Sequence, residues 1–362
     1  MYAESSSCCA TCTSRARRAG QRGLSIIELM VGLVVALLVG LAATSSAVMF
    51  GATQRQGIGV GGVAVNASTA LAALKNDALT AGLGFFGDAR FLCTRLNLSV
   101  GSTVHLDGAA FAPVRIEQVA GQDQLDVMQS ARVESGANVL LDQPSSGVDA
   151  QLKSYLPAVV GDAVLLSPES AADPCTVRSV TAVTASTPDD PQKLDFASGG
   201  TFNDGSFTTP LSYGSSGGGV TLLGALRWQR YRLVGTNLVL ERPLDGTSAI
   251  IARNVIGFRV QYGISSAVLT QKTLESWVDA TGAFATLTAT NIPRVRAVRM
   301  GLVMRSPQRE KEGAGGACEA SAAKPVLWGA TVEPDVTDWA CYRYRRAEVV
   351  VPLRNLVLGI KT

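Results

Sequence analysis

The run of apolar residues from Leu24 to Phe50 constrains this chain more than any other feature. Glu28 is its sole charge, and the 22 residues from Leu29 to Phe50 carry none. As a helix rising about 1.5 Å per residue, that stretch covers about 33 Å, the thickness of a bilayer's hydrocarbon core. The run is too long for the apolar core of an ordinary secretory signal and shows no small-x-small cleavage site at a clear end, so a single-pass membrane form is expected. Before it stand Arg15, Arg17, Arg18 and Arg22 against one acid, Glu4. The positive-inside rule keeps this basic leader in the cytoplasm and sends the body outward, into the periplasm of a cell with two membranes.

Charge and cysteines divide at the same place. Beyond residue 23 the chain has 28 basic and 28 acidic residues, so the net charge of +3 resides in the leader. The body gives no electrostatic case for nucleic-acid binding. At 362 residues the whole chain is long enough for one to three domains with a sizeable core. Cys8, Cys9 and Cys12 precede the membrane run and should stay reduced, whereas Cys93, Cys175, Cys318 and Cys341 follow it into an oxidising compartment. Four cysteines allow three pairings, and spacing does not choose among them. The simplest choice joins nearest neighbours, Cys93 with Cys175 and Cys318 with Cys341 across a polar loop. Cys8-Cys9-x-x-Cys12 has no fourth ligand nearby to complete a metal site.

Catalytic constellations are missing. His105 is the only histidine, and no G-x-S-x-G elbow accompanies it, so a surface or turn position is expected rather than a triad. Asp189-Asp190 and Asp335 with Asp338 lack the spacing of a calcium loop. Gly57-Ile58-Gly59-Val60-Gly61-Gly62 satisfies G-x-G-x-x-G, but a membrane helix precedes it where a strand is needed, so it reads as a flexible joint. Arg343, Arg345 and Arg346 alternate with Tyr342 and Tyr344, a strand pattern with tyrosines turned to the core. No enzyme activity, cofactor, metal, small-molecule substrate or nucleic-acid partner is expected.

Past the glycines, Ala67, Leu71, Leu74, Ala78 and Ala81 keep three- and four-residue spacing, one apolar stripe suited to packing on a sheet. Gly82, Gly84 and Gly87 predict its end. Short strands follow: Leu125 to Met128, Ala163 to Leu166, a hairpin of Leu226 to Val234 with Leu238 to Leu240, and Ala347 to Val351. Phe258, Val260, Tyr262 and Ile264, like Val298, Met300, Leu302 and Met304, alternate with a second face, as in half-buried strands of an antiparallel sheet. Residues 184 to 219 read as a long loop.

The stretch Arg22-Gly23-Leu24-Ser25-Ile26-Ile27-Glu28 resembles the type IV prepilin processing site. That resemblance implies cleavage by prepilin peptidase between Gly23 and Leu24, N-methylation of Leu24, and an assembly role for Glu28, which would meet the new ammonium group of a neighbouring subunit. Ser45 stands where many major pilins place a helix-bending proline. Farther on, Leu74 to Gly87, Val160-Gly161-Asp162 with Cys175, Phe258 to Ile264, Arg296 to Pro307, Tyr344-Arg345-Arg346 and Arg354-Asn355 resemble PilW-type minor pilins. The implied fold is α+β, a long N-terminal pilin helix packed on a large antiparallel β-rich head. Its parts would be a cleaved leader (1–23), a transmembrane and assembly helix (24–50), an amphipathic continuation (51–87) and a periplasmic or extracellular head (88–362). The implied protein sits in the inner membrane with its head in the periplasm, then joins a pilus with other minor and major pilins. There it would help prime or cap the filament tip. A type II secretion pseudopilin shares this N-terminal chemistry, and a tip adhesin or DNA-contacting module would use the exposed head, with 184 to 219 as a candidate surface.

Overall fold

The computed structural model describes residues 25–85, 93–130, 136–170, 172–184, 191–209, 211–266, 273–313 and 315–358; for 48, 49 and 51–60 it describes only the backbone. Contacts divide the chain into two compact units, Met1–Gly57 and Ile58–Thr362.

One helix, α1 (Ile26–Thr80), runs unbroken through the glycines at 57–62, where the sequence predicts a joint. Each glycine weakens a helix by only about 0.5–1 kcal/mol, and the helical residues on both sides carry the hydrogen-bond ladder across. A Cβ on Gly61 or Gly62 would meet nothing within 4 Å. Gly82 and Gly84, at φ +77° and +86°, end the helix by taking a backbone conformation that other residues resist. Gly87 lies outside the described residues.

Strands then make up the second unit. The first are β1 (Arg95–Val100), β2 (Thr103–Ala110), β3 (Val114–Val119), β4 (Gln122–Ser130) and β5 (Asn138–Leu140). Next come β6 (Asp149–Leu152), β7 (Ala163–Ser167), β8 (Cys175–Ser179), β9 (Ala182–Thr184) and β10 (Gln192–Asp195). They are followed by β11 (Gly219–Gly224), β12 (Leu226–Val234), β13 (Asn237–Arg242), β14 (Thr247–Arg253) and β15 (Val255–Ile264). The last are β16 (Ser276–Val278), β17 (Val295–Arg305), β18 (Val326–Leu327), β19 (Ala330–Thr331) and β20 (Tyr344–Pro352), before the short helix α2 (Arg354–Leu358).

Two sheets carry the main core, β14-β13-β12-β4-β3 and β16-β15-β17-β20. The stripe Ala67, Leu71, Leu74, Ala78 and Ala81 is buried, and it shares one cluster with Ile116, Leu125 and Tyr231 of the first sheet and Phe258, Val260 and Met300 of the second. Burying a side chain such as Leu74 stabilises the fold by about 1.5–3 kcal/mol, which fixes this half of the helix to the sheets. The six-stranded sheet β2-β1-β8-β7-β11-β5 is covered on both faces: Leu165 packs with Leu96, Leu98 and Val177, while Val164 and Leu166 pack with Leu152, Leu194 and Tyr213. β1 pairs with β8 in parallel; every other pairing between the described strands is antiparallel.

Two expectations need correction. The segment 184 to 219 is not a plain loop: β10 sits within it, between β6 and β9, because Gln192 and Leu194 alternate inward with Lys193 and Asp195, and Phe202 and Tyr213 are buried. Neither β15 nor β17 is half-buried: Gln261 and Gly263 on the second face of β15 are buried, and Gly301 and Val303 on that of β17 are covered by the β18–β19 hairpin. A Cβ on Gly301 would meet Leu327 at 2.8 Å and Trp328 at 2.9 Å. Trp328 holds φ +50° in the two-residue turn of that hairpin, a costly conformation for a bulky residue. Its indole compensates by stacking on Arg299, 4.3 Å from the ring centroid, and by donating from Nε1 to Glu348 at 2.7 Å.

Candidate functional site

The first turn of α1 is a reciprocal cap. Ser25 Oγ accepts from the Ile27 amide at 3.3 Å, and Glu28 Oε2 accepts from the Ser25 amide at 3.2 Å. Ser-x-x-Glu is the capping-box pattern; it satisfies two helix-end donors and places a negative charge at the positive end of the helix dipole. The lone acid of the apolar run therefore has a local partner in the free chain. Gly23 and Leu24, the expected processing residues, lie outside the described residues, as do Cys8, Cys9 and Cys12.

Beyond Glu28 the helix presents apolar side chains all round. Ile26 to Ala47 is long and apolar enough to cross a membrane, and none of it is buried within the chain. Ile26 is 79% exposed, Leu37 65% and Leu41 68%. A helix apolar on every side is stable only when lipid or other helices cover it.

The second half of the helix is held by polar contacts as well as by its stripe. Tyr231 of β12 donates its hydroxyl to Asp77, and Asn355 of α2 donates to the Ala81 carbonyl at 3.2 Å, satisfying a carbonyl just past the helix end. Burial raises the Asp77 pKa, with bonds from Tyr231 and Gln229 and the charges of Arg227 and Arg242 opposing that shift. A raised carboxyl pKa means that folding favours the protonated form, so Asp77 contributes most below its unfolded value near about 4 and less as pH rises through its folded value. Asp77→Asn keeps an acceptor for Tyr231 without the charge. Chemical denaturation between pH 4 and pH 7 should show wild type gaining stability relative to this variant as pH falls; the opposite trend would refute the assignment.

The cysteines beyond the membrane run form Cys93–Cys175 and Cys318–Cys341, with Cα separations of 5.9 and 4.8 Å. The first ties β8 to the segment entering β1, and the second closes the segment before β20. His105 lies on β2, half-buried against Trp228 at 6.1 Å between ring centroids, not at a turn. Burial, then the nearby Arg230 charge, lowers its pKa. Asp335 and Asp338 bind Arg305 and Arg309, each at 2.7 Å. Arg343 binds Glu310, while Tyr344 donates to the Trp339 carbonyl at 3.1 Å. Tyr342 stacks under Arg305 and Arg346 donates to the Val326 carbonyl at 3.1 Å, so Tyr342, Arg343, Tyr344 and Arg346 are tied into the fold. Asp189 and Asp190 lie outside the described residues.

Sequence reading missed Ser25 as the partner of Glu28, although Ser-x-x-Glu was visible. It also missed Tyr231, 154 residues from Asp77, for which no local signal exists.

An apolar N-terminal helix is thus followed by a large, mainly antiparallel β-rich domain, a mixed α+β arrangement. Residues 223–355, little more than a third of the chain, match the family model described as Type IV Pilus-assembly protein W. The matched region holds β12 to β17, the Cys318–Cys341 disulfide, β20 and Asn355. Among solved structures, a type IV-like pilin from Thermus thermophilus is similar at 11% identity, covering 81% of this chain and 97% of its own, with a TM-score of 0.33. A search of curated protein sequences finds no match.

Proposed function

We propose that this chain is a minor pilin, cut after Gly23 and methylated on Leu24, whose helix enters a type IV pilus and whose head primes or caps the filament at its tip. The observation that carries this reading is a helix with apolar side chains exposed all round and one carboxylate in its first turn, on a chain whose head matches a pilus-assembly family. Before assembly the helix anchors the chain in the inner membrane with the head in the periplasm. Prepilin peptidase then creates an ammonium group on Leu24, one residue before the Ser25–Glu28 cap.

Glu28 changes partners on assembly. In the free subunit its carboxylate accepts one backbone N–H. Among packed helices the ammonium of a neighbouring pilin offers an opposite full charge at low dielectric, where such attraction is far stronger than in water. Giving up a single exposed hydrogen bond costs about 0.5–1.5 kcal/mol, so the cap does not block the exchange. Glu28→Gln should be cleaved normally and remain in the membrane, with pilus number reduced at least tenfold. Gly23→Val should stay uncleaved and give no pili, while wild type restores them. Normal piliation with lost attachment would favour an adhesin.

A further inference from the structure

Arginines on the sheet β14-β13-β12-β4-β3 fall into two groups. Arg115 and Arg230 both bind Asp126, at 3.1 and 2.8 Å, and Arg232 binds Glu241 through Nε at 2.7 Å. Arg227 of β12, Arg242 of β13 and Arg253 of β14 have no hydrogen-bond or ion-pair partner among the described residues, and of these Arg227 and Arg242 share one recess. Both are exposed, and both line a recess of about 340 Å³ beside the turn from β13 to β14, together with Trp228, Gln229, Leu244 and Asp245.

The walls of this recess are fixed. Trp228 is buried, its Nε1 donates to Asp126 at 3.1 Å, and Arg230 stacks on its ring. Gln229 accepts from Gln129 at 3.2 Å and also bonds to Asp77. Asp77, outside the recess, interacts electrostatically with both arginines but is already bonded to Tyr231. Two guanidinium groups thus have ten N–H donors between them and no carboxylate bonded to them.

From this geometry we infer that the recess between Arg227 and Arg242 is a docking site for a carboxylate side chain presented by another protein subunit. Guanidinium matches carboxylate through paired N–H bonds, and a recess shields such a pair from water better than an open surface does. Asp245 at the rim offsets one of the two positive charges, which suits a singly charged carboxylate better than a phosphate dianion. Two arginines on a body with balanced charge do not form the extended basic surface that a nucleic acid requires. The inference concerns a contact on the head and does not depend on cleavage or methylation at residues 23 and 24.

The test uses the full-length chain in a non-ionic detergent and three probes at equal ionic strength: acetyl-Glu-Glu-Glu-amide, acetyl-Gln-Gln-Gln-amide and inorganic phosphate. Binding of the peptides is read by saturation-transfer NMR, and phosphate by its competition with the acidic peptide. The acidic peptide should bind saturably, the glutamine peptide should not, and phosphate should compete weakly. Arg227→Gln/Arg242→Gln should lower affinity for the acidic peptide at least fivefold, with far-UV circular dichroism confirming that the variant keeps its fold, because neither guanidinium bonds to it. Equal binding by wild type and variant, equal binding of both peptides, or strong competition by phosphate would overturn the assignment. If the double variant unfolds, Arg242→Lys, which keeps the charge but not the paired donors, should still weaken binding; unchanged affinity there would also overturn it.

Discussion

Replacing Leu74 by alanine should lower the unfolding free energy of this chain by about 2–5 kcal/mol, the cost of lost apolar burial plus the cavity left behind. Leu74 has no exposed surface and sits at the centre of the stripe that α1 lays against two sheets. Ala78, equally buried one turn later, has no larger group to lose. The neighbouring Lys75 is exposed, so Lys75→Ala should change stability by under about 0.5 kcal/mol and serves as the control. Urea unfolding of both variants checks this contrast. Similar losses would mean that the helix is not held through its stripe.

Removing the Cys93–Cys175 disulfide should have an effect of comparable size. It spans 82 residues, and cross-linking a loop of that length lowers the entropy of the unfolded chain enough to stabilise the fold by about 4 kcal/mol. Cys318–Cys341 spans 23 residues, for which the same relation gives about 3 kcal/mol. The first bond also crosses elements: it joins β8 to the entry of β1 at the place where those strands run parallel, with Leu96 opposite Cys175. Cys93→Ser/Cys175→Ser should therefore reduce stability more than Cys318→Ser/Cys341→Ser, as measured by thermal midpoints under non-reducing conditions. A larger loss from the second pair would contradict this ranking.

What could be read in the sequence was local and periodic. Leu71, Leu74 and Ala78 declared a helix face because a helix repeats every 3.6 residues, and that face is buried. The hairpin joining β12 and β13 was visible in Leu226 to Asn237; Val234 pairs with Asn237, so Gly235 and Thr236 form a two-residue turn, with Gly235 at φ +58°. Burial of the second face of β17 was not visible, because the covering Leu327 and Trp328 arrive more than 20 residues later from a separate hairpin. β10 was hidden for a similar reason: its short apolar pattern gains meaning only beside β6 and β9. At the N-terminus the apolar run and Glu28 were plain, whereas the Ser25 cap was overlooked beside the more conspicuous cleavage pattern. The recess between Arg227 and Arg242 had no sequence signal, since it depends on which arginines the sheet leaves without acids.

The proposal that this chain acts as a processed pilin is tested most directly by the mass of its N-terminal peptide. The protein should be purified from cells with an active prepilin peptidase, and from a peptidase-deficient strain as reference. In the first case the mature chain should begin at Leu24 carrying an added methyl group; in the second, the leader through Gly23 should remain. An intact leader in both strains would contradict the account.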